Sequence, residues 1–332
     1  MIDFKKLSDA PRLLLEARLT PAQGARFQPT GFPDLGAAQY DRPDGKGGVV
    51  PMLLVESAQS MANRLEAVCW DEAKNDLVPS LSGLPYIRVD AGDLGETTSM
   101  HEFHRLNSPY ILGDGGFQAM FRKELKLPEK GDEEDVPGAL DLRRLAQVVF
   151  KYDPGSVLHG VFLEKLAGRL RLQRLLSAFI EAEDVRTVES GGVKFDHLDP
   201  TGKVGGGPEK GFGHVPHHRV EYAAARITAF FNLDLASLRG YGLGVVPEKL
   251  LISLALWKVR HFLDTGLRLR TACDLQVQED LVVTRPEGFV VPLVPELERE
   301  LKTFLAECSL QFAKPPVTRV KFEAKKNSKK NK

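Results

Sequence analysis

Leu53-Leu54-Val55-Glu56-Ser57-Ala58-Gln59-Ser60-Met61-Ala62-Asn63-Arg64-Leu65-Glu66-Ala67-Val68-Cys69-Trp70 reads as the end of a buried strand running directly into an amphipathic helix. Ala58, Met61, Ala62, Leu65, Val68 and Cys69 recur at three- and four-residue spacing, which gives the helix a core side. Ser60, Asn63, Arg64 and Asp71 fall on the other. Ser57 is a natural N-cap, and the unpartnered N–H groups and positive dipole end of the first turn suit a phosphate. Most strand-to-helix junctions capped by serine bind nothing, so the surrounding sequence must carry the functional reading. Upstream lies Gln23-Gly24-Ala25-Arg26-Phe27-Gln28-Pro29-Thr30-Gly31-Phe32-Pro33, whose glycines, arginine and two aromatics suit an extended polynucleotide.

Length and composition bound the possibilities. At 332 residues the chain is one large domain with insertions or two unequal ones, and 42% hydrophobic content is ample for a core. No apolar run reaches eighteen residues and no basic-then-apolar leader follows Met1, so the expectation is a cytoplasmic protein without a membrane partner. Cys69, Cys273 and Cys308 are isolated, as buried reduced thiols would be. The formal net charge is zero, which argues against a nonspecific coat for nucleic acid. The charges are unevenly spread: residues 1–150 hold 17 Lys/Arg against 23 Asp/Glu, a balance of −6, and residues 151–332 hold 28 against 22, a balance of +6. Six lysines and one glutamate of that half fall in residues 321–332, expected to be a disordered tail.

Along the chain, residues 11–19 read as a first strand, followed by a loop of about 30 residues that is long enough to be functional or an insertion. Asp41-Arg42-Pro43-Asp44-Gly45-Lys46-Gly47-Gly48 within it reads as an exposed turn. Residues 84–91 have strand character, and residues 92–138, which end in an acidic run, read as an inserted surface region. Residues 140–150 turn back toward the core. Arg169-Leu170-Arg171-Leu172-Gln173-Arg174 alternates like a half-buried strand, and residues 175–186 and 227–235 form two further strands around a glycine-, lysine- and histidine-rich excursion. Residues 247–263 read as a helix, 267–284 as a strand and 295–305 as a last helix. Stripped of insertions, the order is that of an α+β, ferredoxin-like sheet of the RNA-recognition type with helices on one face, although no aromatic RNP signature is evident.

The familiar catalytic signatures fail inspection. His101-Glu102-Phe103-His104 is not H-E-x-x-H, and Gly202-Lys203-Val204-Gly205-Gly206-Gly207-Pro208-Glu209-Lys210-Gly211 opens no helix with G-K-[ST]. His214, His217 and His218 would be the ligands of a metal enzyme, a third-ranked reading beside RNA-facing polar side chains. Asp34 is the one acid placed to act near a bound RNA, without a companion carboxylate at two-metal spacing. No cofactor and no metal is expected.

Arg26-Phe27-Gln28-Pro29-Thr30-Gly31-Phe32-Pro33-Asp34-Leu35-Gly36, residues 54–66, Ser177-Ala178-Phe179-Ile180-Glu181-Ala182 and Ser190-Gly191-Gly192-Val193-Lys194-Phe195-Asp196 resemble a CRISPR-associated RAMP protein. More narrowly, residues 11–292 resemble the backbone subunit of the type I-G (formerly I-U) Cascade surveillance complex. The resemblance implies a single domain over residues 1–320: an RNA-recognition-type palm, finger insertions at about 20–50 and 92–138, and a thumb hairpin at about 191–218. It implies noncatalytic copies that polymerise along a guide crRNA in antiviral defence. Their partners would be the crRNA, a target DNA strand paired through it, other copies of the chain and the capping subunits of Cascade. The RNA-binding residues so expected are Arg26, Phe27, Gln28, Ser57, Gln59, Ser60, Asn63 and Arg64 in the palm, with Lys194, Lys203, Lys210, His217 and His218 from the thumb. Arg169, Arg171 and Arg174 are weaker candidates. Because related type III backbone subunits cut target RNA with an aspartate in the corresponding early loop, the alternative is a metal-dependent ribonuclease using Asp34.

Overall fold

The computed structural model describes residues 1–32, 35–127, 141–167 and 170–323. The first strand, β1 (Arg12–Pro21), buries Leu13, Leu15, Ala17 and Leu19 and turns Leu14, Glu16 and Arg18 the other way, the period-two pattern of a sheet with one covered face. The next, β2 (Gln39–Pro43), pairs antiparallel with β3 (Val49–Glu56) across the turn expected there, in which the Asp44 carboxylate accepts from the amides of Lys46 and Gly48. Part of the long first connection is therefore a sheet-edge strand. Ser57 caps helix α1 (Ala58–Ala67), its Oγ accepting from the Ser60 amide at 3.3 Å. Met61, Ala62 and Leu65 are buried as the spacing requires. The helix is shorter than expected, because Trp70-Asp71 leaves it to pair with Asp76-Leu77.

A second sheet follows, with β4 (Tyr86–Asp90) antiparallel to β5 (Glu96–Thr98). Residues 140–150, expected only to turn back to the core, are mostly helix α2 (Leu142–Tyr152), capped by Asp141; α3 (Pro154–His159) is capped by Asp153. Arginine–leucine alternation at 169–174 produces only the two-residue strand Arg171–Leu172; Arg169 lies outside the described residues.

The long strands β6 (Leu176–Lys194) and β7 (Val215–Asp234) pair in antiparallel register from Leu176↔Leu233 to Lys194↔Val215. They extend well past the two apolar runs, which cover only the part of the hairpin that crosses the core. Helix α4 (Val245–Thr265) is buried along most of its length, with Phe262 meeting Phe231 at 6.3 Å between ring centroids. The expected single strand at 267–284 is three short ones: β8 (Arg268–Arg270), β9 (Cys273–Val277) and β10 (Val282–Arg285). The break between the first two has a local cause, Ala272 in the left-handed region at φ 64°, where the chain doubles back. Helix α5 (Val294–Cys308) packs on α4, and β11 (Val317–Lys321) pairs parallel with β4. Lys321 therefore belongs to a strand rather than to a tail, and residues 324–332 lie outside the description, as does the acidic run at 129–135.

The large sheet runs β8-β9-β1-β7-β6-β3-β2, with β10 also on β1, and is antiparallel throughout. Helices α1, α3 and α4 cover one face, contacting β6, β7 and β9. On the other face Phe179 and Phe230, opposite each other in register, stack at 5.0 Å and 25°. This half-buried aromatic pair was not evident in the sequence because its members are 51 positions apart.

Where the inserted region meets the helices the core is polar. Arg105 holds Glu66 of α1 through two bonds of 2.9 and 2.5 Å, and Lys258 of α4 lies 2.9 Å from His159 Nε2. Burial raises the Glu66 carboxyl above its usual range against the pull of Arg105; burial and then Lys258 drive the His159 imidazole well below its usual value. All three cysteines are free and buried, and desolvation pushes each thiol up to about 11, so they are packing material.

Candidate nucleic-acid interface

The early loop and the long hairpin, separated by almost two hundred residues, are joined by backbone. Phe27 and Tyr222 exchange amide-to-carbonyl hydrogen bonds of 2.9 Å each, so residue 27 continues the pairing on β7. The Gln28 amide donates to Ala272 O at 2.8 Å and the Thr30 amide to Val55 O at 2.9 Å, tying the same loop to β9's approach and to β3. Beneath it lies Glu56, fully buried, with Arg270 bound to one carboxylate oxygen and Arg64 Nε 3.4 Å from the other. Arg270 also donates to Gln28 O and Val55 O, at 3.2 and 3.3 Å, and Arg64 to Leu269 O at 2.6 Å. A buried carboxylate needs such compensation, and here it fixes one wall of a groove.

That groove, of about 790 Å3, runs between the loop and β7, with Gln28, Thr30, Gln39, His217, His218, Arg219, Tyr222 and Arg270 among its lining. Gln39 Nε2 donates to the Tyr222 hydroxyl at 2.9 Å. His217 and His218 face the two glycines of β6 in register, and glycine is required at 191, where a Cβ would lie 2.6 Å from His217 O; one on Gly192 would lie 3.3 Å from the His217 ring, a tight contact with a side chain. Arg26 sits 3.4 Å from buried Glu221 and Arg219 3.9 Å from the other oxygen of the same carboxylate, which also accepts from Ser190 Oγ at 2.7 Å. With donors, imidazoles and guanidiniums on a concave strip and no carboxylate lining it among the described residues, the groove suits a chain of phosphates and sugars.

The family model described as CRISPR-associated protein GSU0053 (Cas_GSU0053) matches residues 13–187, over half of the chain. The chain belongs to this family. No curated protein matches it. Among solved structures, this GSU0053-family chain is similar to a chain of a CRISPR RNA-guided surveillance complex in a pre-nicking state, at 14% identity and TM-score 0.43, over 88% of this chain and 86% of that one. It is also similar to Csc2 of Thermofilum pendens, at 8% identity and TM-score 0.31, over 94% and 80%.

Within this family member the expected site residues divide. Gln28, His217 and His218 line the groove, and Arg26 is anchored beside it by Glu221. Phe27 requires correction: at 1% exposure its ring is core, holding the loop to β7 rather than offering a stacking face. Arg64 does not line the groove: it borders a second cavity, and its guanidinium is engaged by Glu56 and Leu269 O. Ser57 is occupied as the α1 cap; Ser60 is half-buried, Gln59 and Asn63 are exposed on α1, and none of the four lines the groove. Arg174 clamps the backbone, donating to Ala58 O at 2.8 Å, while Arg171 is exposed.

Lys194, Lys203 and Lys210 are exposed at the far end of the hairpin. The tip between the strands is ordered by aspartates. Asp196 accepts from the amides of Leu198, Asp199 and Gly213 at 2.9 to 3.0 Å, and these bonds, that of Asp199 foremost, hold its carboxyl below the usual range. Phe212 lies so close over Gly205 that a Cβ would be 2.2 Å from its ring.

His214, His217 and His218 are not brought together as a set of ligands. Among the described residues no group of three or more His, Cys, Asp or Glu is arranged to hold a metal ion, and His214 Nδ1 accepts from the Asp196 amide at 3.1 Å. Asp34, the residue of the ribonuclease alternative, lies outside the described residues. The residues that sequence reasoning missed are Arg219, Tyr222 and Arg270. Arg219 directly follows the two histidines, and Arg268-Leu269-Arg270 carries the same arginine–leucine alternation that drew attention at 169–174. No helix among the described residues is long and apolar enough to cross a membrane.

Proposed function

We propose that this chain is the crRNA-binding backbone subunit of a Cascade complex of type I-G, without catalytic activity of its own. In this reading the four-strand core β9-β1-β7-β6, in which the fourth, first, third and second strands are neighbours, is a ferredoxin-like palm of RNA-recognition type. The β6–β7 hairpin is its thumb, and residues 20–50 and 92–138 its fingers. The observation that carries the proposal is the groove itself: Gln28 and Thr30 of the early loop face His217, His218 and Arg219 of the hairpin across one concave strip. Such a strip holds a guide by its backbone and leaves the bases to read target DNA, so sequence recognition needs no base-reading side chains. Lys194, Lys203 and Lys210 extend the cationic track along the thumb, and Gln59, Ser60 and Asn63 offer polar contacts at the head of α1. A groove that tracks a backbone needs only local positive charge, in keeping with a formal net charge of zero. Copies of the chain and the end-capping subunits would then assemble on one crRNA in the cytoplasm.

Size-exclusion chromatography of the chain coexpressed with its guide RNA and partner subunits, monitored at 260 and 280 nm, tests the assembly. The reading expects a nucleic-acid-rich multimer that forms only when the guide is present. Multimers of unchanged size and low 260 nm absorbance in both preparations would overturn it.

A further inference from the structure

We propose that the free edge of β7 makes the groove selective for RNA over DNA: the main-chain carbonyls of His218 and Val220 accept from ribose 2′-hydroxyls while their amides donate to phosphates. This rests on the RNA reading of the groove and adds to it the atoms that recognise the sugar.

On the side away from β6, β7 pairs with β1 as far as Leu19↔Ile227 and then with Phe27 alone, opposite Tyr222. The loop leaves the strand there, with the Gln28 amide donating to Ala272 O and the Thr30 amide to Val55 O. The groove opens between this loop and residues 217–220 of the strand. Which main-chain groups face it follows from the register. Opposed residues of an antiparallel pair alternate between pairs that exchange both hydrogen bonds and pairs that exchange neither. Tyr222 gives its amide and its carbonyl to Phe27, so Thr187↔Tyr222 is of the second kind. The register runs unbroken from Val185↔Ala224 to Lys194↔Val215, so Glu189↔Val220, Gly191↔His218 and Val193↔Pro216 are of that kind too. Val220, His218 and Pro216 therefore turn their main-chain groups outward. The sequence agrees, since a proline is tolerated in a strand where its missing N–H would face no partner. His218 and Val220 are both exposed, and among the described residues nothing bonds their amides from the open side.

The edge thus presents two amides and three carbonyls. Phosphate oxygens only accept, so a phosphodiester chain serves the amides and leaves the carbonyls bare. A ribose supplies the missing donor at every nucleotide, and a deoxyribose does not. A peptide strand would bring donors as well, but Pro216 blunts this edge against one, and Arg219 and Arg270 in the lining favour an anionic chain. Glu189, 4.0 Å from His218 Nε2, stands on β6, across the strand from the open side.

The full chain is bound to oligouridylate and to oligodeoxyuridylate of the same length, which differ only in the 2′-hydroxyl, across a salt series. The expected result is about tenfold tighter binding of the RNA with parallel salt slopes, because sugar contacts release no counterions. Amide hydrogen exchange on the same samples locates the contact. His218 and Val220, fast in the free chain, should slow about tenfold with oligouridylate. Val220→Pro, which removes one edge donor, should weaken RNA binding about tenfold relative to Val220→Ala, which keeps it. Equal affinity for the two oligomers, no slowing at His218 and Val220, or equal RNA affinity of the two variants would overturn the proposal. If Arg219→Ala still lowers the salt slope in that case, the groove reading stands without it. Binding of neither oligomer, or binding with no response to Arg219→Ala, would overturn the groove reading and this proposal together.

Discussion

Glu56 is the residue on which both cavities converge, because Arg270 reaches it from the groove and Arg64 from the opposite side. Replacing it by glutamine would leave two guanidiniums against a neutral partner in a buried position. The expected cost is about 3 kcal/mol or more in denaturant unfolding, accompanied by weaker guide-RNA binding as the Arg270 support of the early loop loosens. An unfolding midpoint within error of the parent would contradict this view of the wall. At the groove surface, Arg219→Ala should lower the slope of log affinity against log salt by about one, the signature of one lost phosphate contact. At the hairpin tip, the depressed carboxyl of Asp196 sets a pH window. A folded value below the unfolded one, about 3.9, contributes stability that is complete above pH 4 and is lost as the pH falls through the folded value. The amide resonances of Asp199 and Gly213 should hold their positions from pH 7 to 4 and move only below; movement centred above pH 4 would refute the assignment.

At the scale of elements, legibility followed the period of the pattern. The alternation of β1 and the helical spacing of α1 and α4 could be read directly, because each buries one face against a continuous core. The outer half of the β6–β7 hairpin could not: residues 187–194 and 215–220 pair in register, yet most are solvent-exposed, so they carry no apolar alternation to betray a strand. For the same reason the groove was half visible. Gln28, His217 and His218 stood out as polar residues in glycine-rich sequence, while Arg270 was hidden in a stretch whose turn rests on an alanine, Ala272, in an unusual backbone region. Phe27 misled because an aromatic in a loop serves equally as a stacking face or as an anchor, and only burial separates the two. The hairpin tip makes few contacts with the core. Replacing residues 195–214 with Asn-Gly, a two-residue turn suited to join Lys194 to Val215, should leave the unfolding free energy within about 1 kcal/mol of the parent. Guide-RNA binding should weaken, with the salt slope lower by about two for the loss of Lys203 and Lys210.

For the whole molecule, the buried face of one long antiparallel sheet carries the helices, while an early loop and a distant hairpin meet beyond the end of β1, where Phe27 pairs with Tyr222, to form a polar strip. Membership of a CRISPR-associated family gives that strip a context, and the proposed backbone role gives it a ligand. The most direct test is photo-crosslinking of a guide RNA carrying 4-thiouridine throughout, in the complex assembled with its partner subunits, followed by mass-spectrometric mapping of the attached peptides. The account predicts crosslinks concentrated in residues 26–39 and 215–222, on both walls of the groove. Crosslinks confined to other surfaces of the chain, with both walls unmodified, would contradict it.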